Sequence, residues 1–401
     1  MFPLIIASLI SLVSPAPTSR TLPWVTCPSP LPSQLQCAQL KVPLDWAHPG
    51  GKKTTLGLTK VPAKAPTKKG VLFFNPGGPG LATSDLLAGQ ALGYDIFAGS
   101  ALPENFDIVG IDPRGVGLSE PITCDPAAFN MPWPKFPQSE TAYNDLVNYN
   151  NAYWESCLNQ TGPFLGHVDT LSVAKDFEAV RIAMGKPEMN FLGTSYGTQI
   201  GSQYANLYAN NFRTMALDSN VDHSQTLFDA WQIEALAYET ELKRFIAWCE
   251  ADSTCVLYGQ NVTHVWIDLV DSAFKNSIPA PGCNGPAPSC QPSVWGGDIL
   301  FNAQDMLFFK ESALWANNVT WSTLAIALKE AAAGNATLLS SPAAMSNTDA
   351  NFAEPAVQCA DWPTPVKSFI DLRNIYSIAS YLAPLTQGAS QSYWTMVSCI
   401  G

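Results

Sequence analysis

Residues 189–201 read MNFLGTSYGTQIG. The apolar run 189–193 leads into a serine framed by Gly193 and Gly197, and the residues after it look helical. A buried strand that turns sharply into a helix at a serine predicts a nucleophile elbow. There the serine sits on a strained bend with its hydroxyl exposed, and glycines flank it because side chains would collide with neighbouring elements. The helix N-terminus behind Ser195 also favours developing negative charge. The G-x-S-x-G pattern alone is weak; its place between strand and helix gives it weight.

Working outward, 70–75 (GVLFFN) and 106–112 (FDIVGID) are short continuous apolar runs, the pattern of strands buried on both faces of a parallel sheet. A hairpin is expected before them, with strands at 39–46 and 54–62. Helices are expected at 81–92, 172–184 and 197–210, and a strand at 213–218. Alternating strands and helices predict an α/β fold, a mostly parallel sheet with helices on both faces. Residues 121–168 read as a polar, aromatic insertion. Past Asp218 the pattern becomes helical, with stretches at 225–249, 296–315 and 320–333, a proline-rich loop at 278–294 and a helical tail. The expected division is a signal peptide at 1–18, an α/β core at 19–222, and a helical lid with the start of the C-terminal region at 223–401.

A second motif is NPGGPG at 75–80. Stabilising a tetrahedral oxyanion takes two backbone N–H groups aimed at one point. One is expected from the residue after the nucleophile, Tyr196, and the other from Gly77 or Gly78 in this loop. Taken in order, NPGGPG, DPRGVGLSEP (112–121) and GTSYGTQIGSQYA (193–205) resemble the tripeptidyl-aminopeptidase-like branch of the α/β-hydrolases, secreted relatives of proline iminopeptidases. The segments 176–198 and 356–363 (AVQCADWP) are also similar to that family. The resemblance covers about 25–401. It implies release of short units from free peptide N-termini, with Ser195 as nucleophile, Tyr196 and Gly78 as oxyanion donors, a mainly structural DPRG segment and an inserted helical lid.

Ser195 needs a base, and the base an orienting carboxylate. The family carries both near its C-terminus, on later sheet strands that this sequence does not show, so the expectation is a truncated form lacking the last strands. The alternative is a short protein without triad chemistry. Of the four histidines, His48, His167 and His264 read as turn, loop and surface residues. His223 follows the strand 213–218 and is a weak candidate for the base, with Asp218 or Asp222 as acid. Aminopeptidases recognise a free ammonium with carboxylates, and Glu354 and Asp361 are the candidates here.

The formal net charge of −12 argues against nucleic acid or an anionic membrane surface as partner. The apolar run from Phe2 to about Val13 is too short to span a bilayer and fits a signal peptide. Ten cysteines suit an oxidising compartment, and near neighbours suggest the pairs Cys27/Cys37, Cys124/Cys157, Cys249/Cys255, Cys283/Cys290 and Cys359/Cys399. Sequons stand at Asn159, Asn261, Asn318 and Asn335. The expectation is a secreted, glycosylated serine hydrolase that takes a peptide and needs no metal or organic cofactor. An esterase or lipase-like hydrolase acting on small esters or secondary metabolites and a non-catalytic binding protein are the competing readings.

Overall fold

The computed structural model describes residues 22–97, 99–285, 289–311 and 319–401. The expected signal peptide at 1–18 and the sequon Asn318 lie outside them. Strands β1 (Val25–Thr26), β2 (Gln36–Pro43) and β3 (Lys53–Val61) precede β4 (Gly70–Asn75), helix α1 (Thr83–Ala91), the short α2 (Leu102–Asn105) and β5 (Phe106–Ile111). The insertion carries α3 (Pro126–Phe129) and α4 (Glu140–Thr161). Then come α5 (Thr170–Ala183), β6 (Met189–Thr194), α6 (Gly197–Leu207) and β7 (Phe212–Asp218).

These strands form one seven-stranded sheet in the order β1-β2-β3-β5-β4-β6-β7. Strands β5, β4, β6 and β7 run parallel, and β1 to β3 add an antiparallel edge that joins β5 through β3. β4 is buried along nearly its whole length, as its unbroken apolar run requires, whereas β7 alternates between half-buried and exposed positions at the sheet's edge. Phe73, Val109, Phe177, Phe191 and Ile200 build the core between this sheet and its helices.

The helical region holds α7 (Leu227–Ala251), α8 (Val262–Lys275), the two-stranded β8 (Ile278–Pro279) and β9 (Ser293–Val294), α9 (Gly296–Asn302) and α10 (Trp321–Ala332). It ends in α11 (Ala353–Asp361), α12 (Phe369–Leu382) and α13 (Gln391–Ser398). Its own core gathers Trp231, Phe245, Trp266 and Tyr393. The expected helix over 296–315 stops at Asn302, and a 3₁₀ turn, Asp305–Leu307, follows. The insertion holds a helix of 22 residues that the sequence reading left unassigned. Ser139 caps it by accepting from the Ala142 N–H, and it ends at Gly162 with φ +67°. Asn150 and Trp154 of α4 donate to the carbonyls of Val397, Ile400 and Ser398, tying the insertion to the chain's last helix.

The five disulfides pair near neighbours as expected: Cys27–Cys37, Cys124–Cys157, Cys249–Cys255, Cys283–Cys290 and Cys359–Cys399. Among the described residues no helix is long and apolar enough to cross a membrane.

The DPRG segment fixes the fold. Arg114, fully buried, gives Nε to Asp176 Oδ2 at 2.8 Å and Nη2 to Oδ1 at 2.7 Å. Its remaining donors reach the carbonyls of Pro43, Leu44 and His167, so one guanidinium joins the hairpin to α5. Asp112 accepts from the backbone and hydroxyl of Ser84 and from the Leu118 N–H, anchoring the start of α1.

Candidate active site

Ser195 lies between β6 and α6 with φ +52°, a left-handed backbone that a non-glycine residue seldom adopts. Its N–H donates to the Asp218 carbonyl at 3.0 Å, and its own carbonyl accepts from the N–H and hydroxyl of Thr198. The bend is therefore held from both sides, and the serine is exposed. The glycines around it answer to collisions. A Cβ at Gly193 would stand 2.4 Å from the Gly197 carbonyl oxygen, and one at Gly197 would stand 2.4 Å from that of Asn75.

The NPGGPG loop meets the elbow directly. A Cβ at Gly77, whose φ is +102°, would fall 2.6 Å from Thr194 O, 2.8 Å from the Tyr196 nitrogen and 2.9 Å from Ser195 Cβ. Backbone therefore packs on backbone beside the Tyr196 amide. Thr194 Oγ1 donates to the Pro76 carbonyl at 2.9 Å and ties loop to strand. Gly77 gives its own N–H to Asn75 Oδ1 at 3.0 Å, so it is not free to hold an oxyanion. The amides of Gly78 and Tyr196 have no acceptor among the described residues.

The Tyr196 side chain is buried under the elbow. Its hydroxyl pairs with Thr170 Oγ1 and lies 3.5 Å from Asp361 Oδ2. Asp361 also accepts from the Thr170 N–H at 2.9 Å, the Thr170 hydroxyl and Gln199 Nε2. Among the described residues no cation pairs with this carboxyl, and burial pushes it up to about 6 despite those donors. Asp361, a candidate ligand for a substrate ammonium, thus has both oxygens engaged inside the fold.

Glu354 is placed differently. Its Oε1 accepts from Gln358 and Gln391, its other oxygen has no partner, and a Cβ at Gly80 would lie 2.9 Å from its nitrogen. Burial raises its pKa, and the charge of Asp305 adds to the rise. The Asp305 carboxyl, exposed on the 3₁₀ turn, forms no hydrogen bond or ion pair among the described residues, and the surrounding protein raises its pKa. Glu234 of α7 completes the group: it accepts from the N–H and hydroxyl of Ser392, next to Gln391, and burial raises it too. Sequence reasoning missed Asp305 and Glu234, because nothing local marks an acid that comes near Glu354 only through tertiary packing.

Asp218, Asp222 and His223 are not joined into a relay. Asp218 is exposed at the end of β7, and Asp222 spends Oδ1 on the N–H and hydroxyl of Ser224. His223 stacks edge-on against Trp362 at 5.2 Å, with Nδ1 buried and unpartnered, and burial lowers its pKa. No described residue hydrogen-bonds the Ser195 hydroxyl. Of the sequons, Asn159 is exposed on α4, Asn261 caps α8 through its Oδ1, and Asn335 accepts from the N–H and hydroxyl of Thr337. A cavity of about 520 Å³ lined by Gln138, Phe369, Arg373 and Tyr376 contains no residue of the elbow or its loops.

A family model for the alpha/beta hydrolase fold matches residues 70–293. The chain is 30% identical over 364 residues to the tripeptidyl aminopeptidase of Streptomyces coelicolor, covering 85% of this chain and 63% of that protein. It is 32% identical over 260 residues to the serine protease Hip1 of Mycobacterium tuberculosis, covering 62% of this chain and 49% of that one. To carboxylesterase B of the same organism it is 29% identical over 252 residues, covering 62% and 47%. The chain thus spans less than two thirds of the length of each of these relatives.

Proposed function

Because the chain belongs to the α/β-hydrolases and resembles their tripeptidyl-aminopeptidase-like branch, we propose that it is a serine hydrolase of peptidase type with Ser195 as its nucleophile. The observation that carries this reading is the bend at Ser195, an exposed serine whose following amide, Tyr196, is uncommitted and against which the Gly77 backbone packs, one residue before the equally uncommitted Gly78 amide. In the proposed reaction Ser195 Oγ attacks a substrate carbonyl carbon, and the resulting oxyanion accepts hydrogen bonds from those two N–H groups. Collapse expels the amine, which takes up the proton removed from the Ser195 hydroxyl, and leaves an acyl-enzyme that water hydrolyses to the free acid, restoring the serine. Removing the hydroxyl proton takes a base. His223, whose neutral form burial favours, is only a candidate for it, because its ring rests on Trp362 and no hydrogen bond joins it to Ser195 among the described residues.

The substrate proposed is a peptide with a free N-terminus, cut to release tripeptides or other short units. Its ammonium would meet the free oxygen of Glu354, with Asp305 adding negative charge. Residues 223–401 are proposed as the lid that brings these carboxylates to a core at 19–222. Five disulfides and an exposed sequon at Asn159 support secretion and glycosylation. The similarity to a carboxylesterase supports a second reading, hydrolysis of small esters by the same elbow.

The test compares wild type with Ser195→Ala, using a fluorophosphonate label, free and N-acetylated peptide amides, and aryl esters. Labelling and peptide release that vanish in Ser195→Ala are expected. Ester turnover without peptide release would favour the second reading. Equal behaviour of the two proteins would refute Ser195 as nucleophile.

A further inference from the structure

We infer that helix α11 braces both amide donors at Ser195, with Asp361 as a positioning residue at its C-terminal end. The inference rests on the reading of Ser195 as nucleophile. The two donors come from segments far apart in the chain, Gly78 in the loop after β4 and Tyr196 at the start of α6. An oxyanion hole works only if both amides aim at one point, because stabilisation depends on donors fixed before charge develops.

α11 touches each of the two segments. At its first turn the loop packs backbone to backbone, for a Cβ at Gly80 would stand 2.9 Å from the Glu354 nitrogen and 3.2 Å from its Cα. Gly80 has φ +94° and lies two residues beyond Gly78, so the loop's exit rests on this helix. At the last residue, Asp361 takes the hydroxyl and N–H of Thr170 and sits by the Tyr196 phenol, which pairs with that same Thr170 hydroxyl. Holding a buried phenol at its tip restrains the ring and the backbone from which it springs, and that backbone carries the donor N–H.

The helix is held as firmly as such a role needs. Phe352, Ala353, Ala356 and Val357 are buried in the core of the sheet. From the opposite side α13 grips it three times: Gln391 donates to Glu354, Thr395 to Gln358 at 3.1 Å, and Cys399 is bonded to Cys359. A nine-residue helix is a rigid spacer of roughly 13 Å, so it fixes the distance between its two contacts.

Two variants test this, Asp361→Ala and Tyr196→Phe, with the double variant and Ser195→Ala beside them. Hydrogen-exchange mass spectrometry needs no turnover: Asp361→Ala is expected to speed exchange in peptides covering both 75–81 and 194–199, with little change in β2 and β3. Faster exchange confined to one of the two segments, or in neither, overturns the brace. On Ser195-dependent hydrolysis, each single variant should lower kcat by about 10- to 100-fold with KM within about twofold, the loss expected when a reacting group shifts by about an ångström. The double variant should fall no further than the worse single one, because both break the same contact. A rise in KM at constant kcat, or fully multiplying losses, refutes the positioning role. If wild type shows no Ser195-dependent turnover, the nucleophile reading fails while the exchange result still decides the brace.

Discussion

Asp361 offers a stability test whose sign is fixed in advance. Its carboxyl rises from the usual 3.8 to about 6 because burial disfavours the charged form more than its hydrogen bonds favour it. At about 1.4 kcal/mol for each tenfold in proton affinity, ionising it in the native protein costs up to about 3 kcal/mol relative to the unfolded chain. The native state binds this proton more tightly, so between about pH 4 and pH 6 it holds more protons than the unfolded state. Wild-type stability should therefore fall as pH rises through that window, with the full cost present above it. Asp361→Asn removes the titration and keeps the shape. The measurement is urea unfolding of both proteins by tryptophan fluorescence at pH 4, 5, 6 and 7. The variant's stability relative to wild type should climb by up to about 3 kcal/mol across the window and then level off. Asp112, Asp176, Glu234, Asp305 and Glu354 are also raised, but they are present in both proteins, so the difference isolates residue 361. A difference independent of pH would mean that the carboxyl is solvated. One that moves the other way would mean that its four donors outweigh burial.

Gly77→Ala should cost about 1–3 kcal/mol in unfolding free energy and abolish phosphonate labelling of Ser195, because its Cβ meets backbone atoms within 3 Å at a positive φ; unchanged labelling would show that the loop does not press on the elbow. Asp176→Ala leaves the Arg114 guanidinium buried with only carbonyls for partners, so a loss of about 3–5 kcal/mol is expected in urea unfolding, and one below about 1 kcal/mol would contradict the role assigned to this pair. Glu354→Gln should raise KM for peptides with free N-termini about tenfold, the scale of one charge-assisted hydrogen bond, and leave N-acetylated peptides unaffected. Equal effects on both would remove Glu354 from ammonium recognition.

The elbow and the glycine loop were legible because each is a local constraint. A chain that must leave a strand, bend at φ +52° and enter a helix within a few residues has to put glycines at 193 and 197. The strands GVLFFN and MNFLG were legible because burial on both faces makes their runs almost wholly apolar, the one polar interior residue, Asn190, being hydrogen-bonded to Val71, Arg213 and Thr214. Helix α4 escaped although its signal was present: Tyr143, Leu146, Asn150, Tyr153 and Cys157 recur at alternating spacings of three and four, the buried stripe of a helix. Asparagines and aromatics, poor helix formers, fill that stripe and disguise it. The stop at Asn302 was equally hidden, since the apolar residues Met306 and Leu307 continue the pattern while the backbone tightens into a 3₁₀ turn. The network around Asp361 joins residues 165 and 191 apart in sequence, and no local pattern announces such a partner.

The protein satisfies its acids in different ways. Asp176 has Arg114, Glu178 has Arg181 and Asp298 has Lys135, each within salt-bridge contact. Asp112 and Asp361 lack a cation, yet three and four donors respectively surround them. Glu354, half-buried, and Asp305, exposed, fit neither pattern among the described residues: one keeps an oxygen free, the other accepts nothing, and the charge of Asp305 raises the cost of ionising Glu354. The half-buried Glu354 carboxylate beside a second negative charge is destabilised in the empty protein, and an entering cation reverses the sign of the interaction. A substrate ammonium would therefore bind most tightly when both acids are ionised. Affinity for free-amine peptides should then weaken as pH falls through their raised pKa values, while N-acetylated peptides show no such dependence. Measuring KM for the two substrate types from pH 4 to pH 8 checks this, and parallel profiles would dissociate the acids from substrate binding.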